Sequence, residues 1–105
     1  MSQVKEFLEN MATKFRPETA KDLDAVFQYQ LAEGDEYYLT IKDRTCTLTE
    51  GKHNDPTATM KLNFDTFQRM ANGELDGMKA MMFGKLKVKG NMMLAARIPQ
   101  LFADQ

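Results

Sequence analysis

The feature that most restricts how this chain can fold is a change of hydrophobic period. From Val4 to Phe15 apolar side chains recur every three or four residues, through Phe7, Leu8 and Met11, with Lys5, Glu6, Glu9 and Lys14 between them. That period predicts an amphipathic helix over Ser2 to Phe15. Pro17 stops it, because the residue before a proline is driven out of the helical region. One further helical turn is expected from Pro17 to Asp22, with the proline at its first position.

From Ala25 the period drops to two. Phe27, Tyr29 and Leu31 alternate with Val26, Gln28 and Gln30; Tyr37, Leu39 and Ile41 with Tyr38, Thr40 and Lys42; Cys46 and Leu48 with Thr45, Thr47 and Thr49. Gly34-Asp35 and Asp43-Arg44 mark the turns. After a polar loop from Gly51 to Pro56, Ala58, Met60 and Leu62 alternate with Thr59 and Lys61. These strands read as an antiparallel meander, at least for the first three. One face is apolar and needs a helical cover; the other bears threonine and lysine and meets water.

The helical period then returns. Phe64, Phe67, Met70 and Ala71 line a short helix that Gly73 stops, and Leu75, Met78, Met81 and Met82 a second that ends at Gly84. Lys85 to Lys89 alternates lysine with Leu86 and Val88, giving a fifth strand. Asn91 is a good N-cap for a last helix through Met92, Met93 and Ala96, which Pro99 kinks or restarts before Leu101 and Phe102. The lysines of the fifth strand read first as a protected sheet edge and second as a contact for an anionic membrane. Residues 1–105 thus read as one α+β domain: a five-stranded, mostly antiparallel sheet covered on one face by helices.

Charge and rare residues limit what such a domain does. Fourteen Lys and Arg stand against fifteen Asp and Glu, so the basic excess of a nucleic-acid binder is missing. One histidine, His53, and one cysteine, Cys46, give little from which to build a metal site or a nucleophile pair. Cys46 lies in a strand pattern and His53 in a polar loop, which favours an inert thiol and a solvated imidazole. No glycine-rich phosphate loop is present. No metal, cofactor or catalytic residue is expected. A lone cysteine excludes an internal disulfide, and the longest apolar run, Met92 to Ala96, is far short of the roughly 20 residues of a membrane span. A cytoplasmic domain is expected.

The chain has nine methionines and no tryptophan, and Met70, Met78, Met81, Met82, Met92 and Met93 fall in the helical cover. Helical spacing alone points to core packing. A wall of unbranched, polarizable side chains also suits a flexible apolar ligand, because it re-packs around chains of different shape.

The run Gly84-Lys85-Leu86-Lys87-Val88-Lys89-Gly90-Asn91-Met92, followed by Leu94, Ala95 and Leu101-Phe102, resembles the C-terminal signature of the sterol carrier protein 2 family. Thr59 to Leu62, Phe64 to Phe67, Met70 to Gly73 and Leu75 to Phe83 are similar to the elements before it, and Val26 to Tyr29 and Thr40 to Asp43 fit the early strands more loosely. The resemblance implies an apolar tunnel between sheet and helices that holds fatty acids, fatty acyl-CoA, sterols or other lipids without transforming them. It implies a lining of Phe67, Met70, Met78, Met81, Met82, Phe83, Met92, Met93, Ala96, Leu101 and Phe102. Two departures stand out. Many eukaryotic members carry glutamine where this chain has Phe83, so a more apolar ligand is expected, and Ala103-Asp104-Gln105 lacks the peroxisomal address of some relatives. The expected partners are an apolar lipid and, transiently, a membrane or an enzyme, with no nucleic acid. Two alternatives to a lipid carrier remain: an accessory domain presenting an apolar substrate, such as an acyl or isoprenoid-quinone precursor, to an enzyme, and a filled-core interaction module.

Overall fold

The computed structural model describes residues 3–103. Its elements, in chain order, are α1 (Gln3–Ala12), a 3-10 turn (Pro17–Ala20), β1 (Ala25–Leu31), β2 (Glu36–Lys42), β3 (Thr45–Glu50), β4 (Ala58–Leu62), α2 (Phe64–Ala71), α3 (Gly77–Met82), β5 (Leu86–Gly90), α4 (Met92–Ala95) and α5 (Ile98–Leu101). The expected α+β order is present. The first helix is shorter than its apolar period: Ser2 lies outside the described residues, and Phe15 leaves the helix to bridge Phe102, with the rings 5.7 Å apart. Arg16 N–H donates to the Leu101 carbonyl at 2.7 Å and Ala103 N–H to that of Lys14 at 2.9 Å, so the two ends of the described chain are tied together.

The sheet runs β3-β2-β1-β4-β5. β1, β2 and β3 form the expected antiparallel meander, with Phe27 opposite Leu39 and Leu39 opposite Leu48. The β2–β3 turn holds Asp43 and Arg44 at φ of 51° and 61°, the left-handed pair that a two-residue hairpin requires. β4 does not extend the meander. It crosses back to lie parallel to β1, Tyr29 opposite Met60, and β5 closes the edge antiparallel to β4, Met60 opposite Val88.

That crossover explains Gln28, a buried polar residue on the supposedly wet face. Its side-chain amide donates to the Tyr37 and Gly51 carbonyls at 3.1 and 3.0 Å, and its oxygen accepts from His53 N–H at 2.8 Å. The segment 51–57 is thereby strapped across the outer face. His53 is half-buried, not solvated as its polar neighbours suggest, with its ring edge-on to Tyr38 at 5.0 Å.

The inner face packs against helices from both ends of the chain. Val4, Leu8 and Met11 of α1 are buried, and α1 lies against β3. From α2, Phe67 stacks on Tyr29 at 4.8 Å and takes the edge of Phe7 at 5.2 Å. Asn63 caps α2, its side chain accepting from Thr66 N–H at 2.8 Å, and Asn91 caps α4, accepting from Leu94 N–H at 3.0 Å. α3 begins at Gly77, with Asp76 as its cap, so Leu75 precedes the helix rather than opening it.

Candidate functional site

The eleven side chains singled out in the sequence fall into three groups. Phe67, Leu101 and Phe102 are buried among the core. Met70 and Met81 are half-buried and pack against it. Met78, Met82, Phe83, Met92 and Met93 are 49 to 83% exposed, and Ala96 is exposed beside them. The five large exposed side chains all come from α3, α4 and the residue that ends α3. Both helices contact β5, so these groups lie along one edge of the sheet.

Local sequence explains the split. Met78 and Met82 are four apart and share a face of α3. The residue of α3 that is fully buried is Ala80, which turns that face away from the sheet. Gly77, the first residue of α3, lies near the Met70 side chain of α2, where a Cβ would make an ordinary contact at 3.5 Å from the terminal methyl. Gly84, at φ +73°, then ends the helix and leaves Phe83 outside the packed layer.

The tunnel implied by the resemblance is not seen between sheet and helices among the described residues. Tyr29 stacked on Phe67, with Leu101 and Phe102, fills the layer where it would run. Two surface hollows stand out elsewhere. One, about 580 Å³, is lined by Asp65, Gln68, Arg69, Asn72 and Glu74; the other, about 330 Å³, lies between α1 and β3, against Lys5, Glu9, Tyr37 and Leu48. Neither touches the eleven residues.

Tyr29 is a residue that sequence reasoning passed over. Its hydroxyl is buried in the apolar layer with no hydrogen-bond partner, and burial pushes its pKa far above the ordinary value. The signal was available: a phenol at a core-facing position whose neighbours on that face, Phe27 and Leu31, are pure hydrocarbon. Burial also pushes the Cys46 thiol up, to about 11, so it is not a thiolate near neutral pH. Cys46 pairs with Ile41 on the inner face while His53 lies over the outer one, so the sheet separates them. Among the described residues no three His, Cys, Asp or Glu side chains converge as metal ligands. No described helix is long and apolar enough to cross a membrane.

The fold and the exposed edge define an α+β domain with a mixed five-stranded sheet, one face roofed by helices that leave apolar side chains open at β5. The chain belongs to the SCP-2 sterol transfer family, which it matches over residues 4–103. It is 32% identical over 94 residues to the fatty acid-binding protein of Yarrowia lipolytica, covering 81% of this chain and 70% of that one. It is 34% identical over 84 residues to the bovine hydroxysteroid dehydrogenase-like protein 2, covering 77% of this chain and 20% of that one. The chain thus spans about a fifth of the length of that relative. The structure of the inverting sec-alkylsulfatase Pisa1 from Pseudomonas superposes with a TM-score of 0.91 at 19% identity, over 99% of this chain and 17% of that one.

Proposed function

We propose that this domain binds and carries an apolar lipid, a fatty acyl chain in the first instance, without transforming it, in the layer between the sheet and α3–α4. The observation that carries the reading is the set of large apolar side chains, Met78, Met82, Phe83, Met92 and Met93, held in solvent at one edge of a packed core. A contiguous apolar surface left open on a folded domain is characteristic of a binding site. Met70 and Met81, half-buried, pack against the core to which Phe67 belongs. Short helices bounded by Gly73 and Gly84 part from the sheet at little cost, and the methionines re-pack around the incoming chain. Each methylene buried contributes about 0.8 kcal/mol. The Tyr29 hydroxyl is the donor that orients a ligand head group from within the apolar layer. The fatty acid-binding protein of Yarrowia lipolytica supports the same ligand class.

Titration with a fluorescent fatty acid tests this. Met82→Asp and Met93→Asp are expected to weaken uptake on the order of 10-fold each, since a carboxylate at the mouth replaces apolar contact and must be desolvated. Both positions are exposed, so circular dichroism stays unchanged. Undiminished uptake in both variants sinks the reading.

A second reading has its own observation. Similar domains make up about a fifth or less of larger proteins, the hydroxysteroid dehydrogenase-like protein 2 and the alkylsulfatase Pisa1. This favours a domain that presents its lipid to an enzyme. Native co-purification of an enzyme whose turnover of an apolar substrate drops without this domain would establish it.

A further inference from the structure

The edge that carries the exposed methionines also carries charge that holding a lipid does not call for. From Gly77 to Ala103 the chain has five basic residues, Lys79, Lys85, Lys87, Lys89 and Arg97, and no Asp or Glu. All fifteen acidic residues lie outside this stretch, against the nine other Lys and Arg. The near-neutral whole therefore conceals a basic stretch, with Asp76 at the cap of α3 as the carboxylate at its start, on an otherwise acidic molecule.

The sheet register gathers the lysines further. On the outer face Lys61 lies opposite Lys87, and Thr59 opposite Lys89. The Lys61 pKa is lowered, by Lys89 first and then by Lys87 and Lys52, as like charge beside it disfavours its own. Among the described residues Lys79, Lys85, Lys87 and Lys89 pair with no carboxylate. Like charge is gathered here without compensation from the protein itself. β5 is the edge strand, so lysines project on its outer side while α3 and α4, with Met78, Met82, Phe83, Met92 and Met93, lie on its inner side.

We propose that the α3–β5–α4 edge docks on an anionic lipid surface, its methionines and Phe83 entering the interface and Lys61, Lys85, Lys87 and Lys89 meeting the phosphates. Apolar insertion flanked by basic residues is the composition that anionic bilayers select. A nucleic acid would answer the charge but leave the methionines in water. A second copy of this chain would answer the methionines but set one basic edge against another. The inference rests on charge and exposure and not on a ligand being held inside.

Co-sedimentation with vesicles of phosphatidylglycerol, set against vesicles of phosphatidylcholine, tests it. The protein is expected to sediment with the first and not the second, and to be released by high salt, since screening removes the attraction. Each lysine near such a surface is worth roughly fivefold in partition, so reversing two, Lys87→Glu with Lys89→Glu, should lower it at least roughly 25-fold. Both side chains are exposed on the outer face, so fatty acid uptake from solution stays as in the parent protein. A parent protein that ignores phosphatidylglycerol, or a doubly reversed variant that sediments like the parent, overturns the proposal. So does a dimer in sedimentation velocity that Met82→Asp dissolves, because the edge is then taken by a second copy. Fatty acid uptake without vesicle binding overturns the docking alone; vesicle binding without uptake overturns the lipid-carrying reading alone.

Discussion

Under α1 the inner face of the sheet is closed, whereas at β5 it is roofed by fragments. α1 is ten residues long, enough to carry Val4, Leu8 and Met11 on a single buried stripe, and the strands beside it bring Phe27, Leu39 and Ile41 to zero exposure. α3 has six residues and α4 four. One helical turn aims only one or two side chains at the sheet, and here the largest are left in solvent. Isolated helices this short are marginal and persist through their packing. The two regions therefore differ in what holds them: the first by its own core, the second by caps, glycine stops and contact with an edge strand. The domain concentrates its stability at one end and its adaptable apolar surface at the other.

Truncating one side chain in each region tests the difference most directly. Leu39→Ala, at a fully buried position in β2, is expected to cost about 3 kcal/mol in urea unfolding, from lost transfer energy and the cavity left behind. Met82→Ala, 80% exposed on α3, should stay within about 0.5 kcal/mol of the parent. A Met82→Ala cost near that of Leu39→Ala would mean that α3 packs as tightly as the rest, and the contrast between regions would be lost.

The outer face of the sheet offers a second test of the same difference. Gln28 is the post on which the 51–57 strap hangs, with three hydrogen bonds to Tyr37, Gly51 and His53. Gln28→Leu leaves the buried Tyr37 carbonyl and the part-buried Gly51 and His53 groups without this partner, at about 2 kcal/mol in urea unfolding. Faster amide exchange should be confined to the strap, with the β4–β5 edge unchanged. Exchange that rises along β5 as well would show that the edge is held from the outer face too.

How much of this the sequence revealed follows the reach of each interaction. Alternation over Ala25 to Leu48 announces three strands and their inner faces, because side-chain direction in a strand is local. The place of β4 beside β1 depends on a crossover and on Gln28, whose partners are from 9 to 25 residues away, and no periodicity carries that. The apolar spacing of Leu75, Met78, Met81 and Met82 suggested a stripe on the sheet. Asp76 starts the helix two residues later than the stripe, and Ala80 takes the inward position, so Met78 and Met82 point away. The family signature identified the fold, but which of its apolar residues are buried and which are open was set by those two local choices. Tyr29 was legible as core and illegible as an orphan, since a missing partner is a property of the packed layer.

Tyr29 offers the smallest and most discriminating change, because it belongs to the closed region while reaching toward the layer assigned to the ligand. Tyr29→Phe removes a buried hydroxyl that has no partner and keeps the ring stacked 4.8 Å from Phe67. Without ligand the variant is expected to gain about 1 kcal/mol in urea unfolding, the desolvation penalty no longer being incurred. The pH dependence gives a second readout. Burial raises the phenol pKa in the folded state above its ordinary 10.0, so the unfolded chain sheds a proton that the native protein keeps. Stability from this group is fully present below that ordinary value and is lost as pH rises toward the folded one; the phenylalanine variant lacks that loss. Adding fatty acid then separates the regions. If the head group accepts from the Tyr29 hydroxyl, the penalty is already relieved in the complex, and the variant's advantage vanishes or reverses when ligand is present. An advantage that survives saturation with fatty acid places the lipid wholly at the α3–α4 edge, and the closed region then takes no part in recognition.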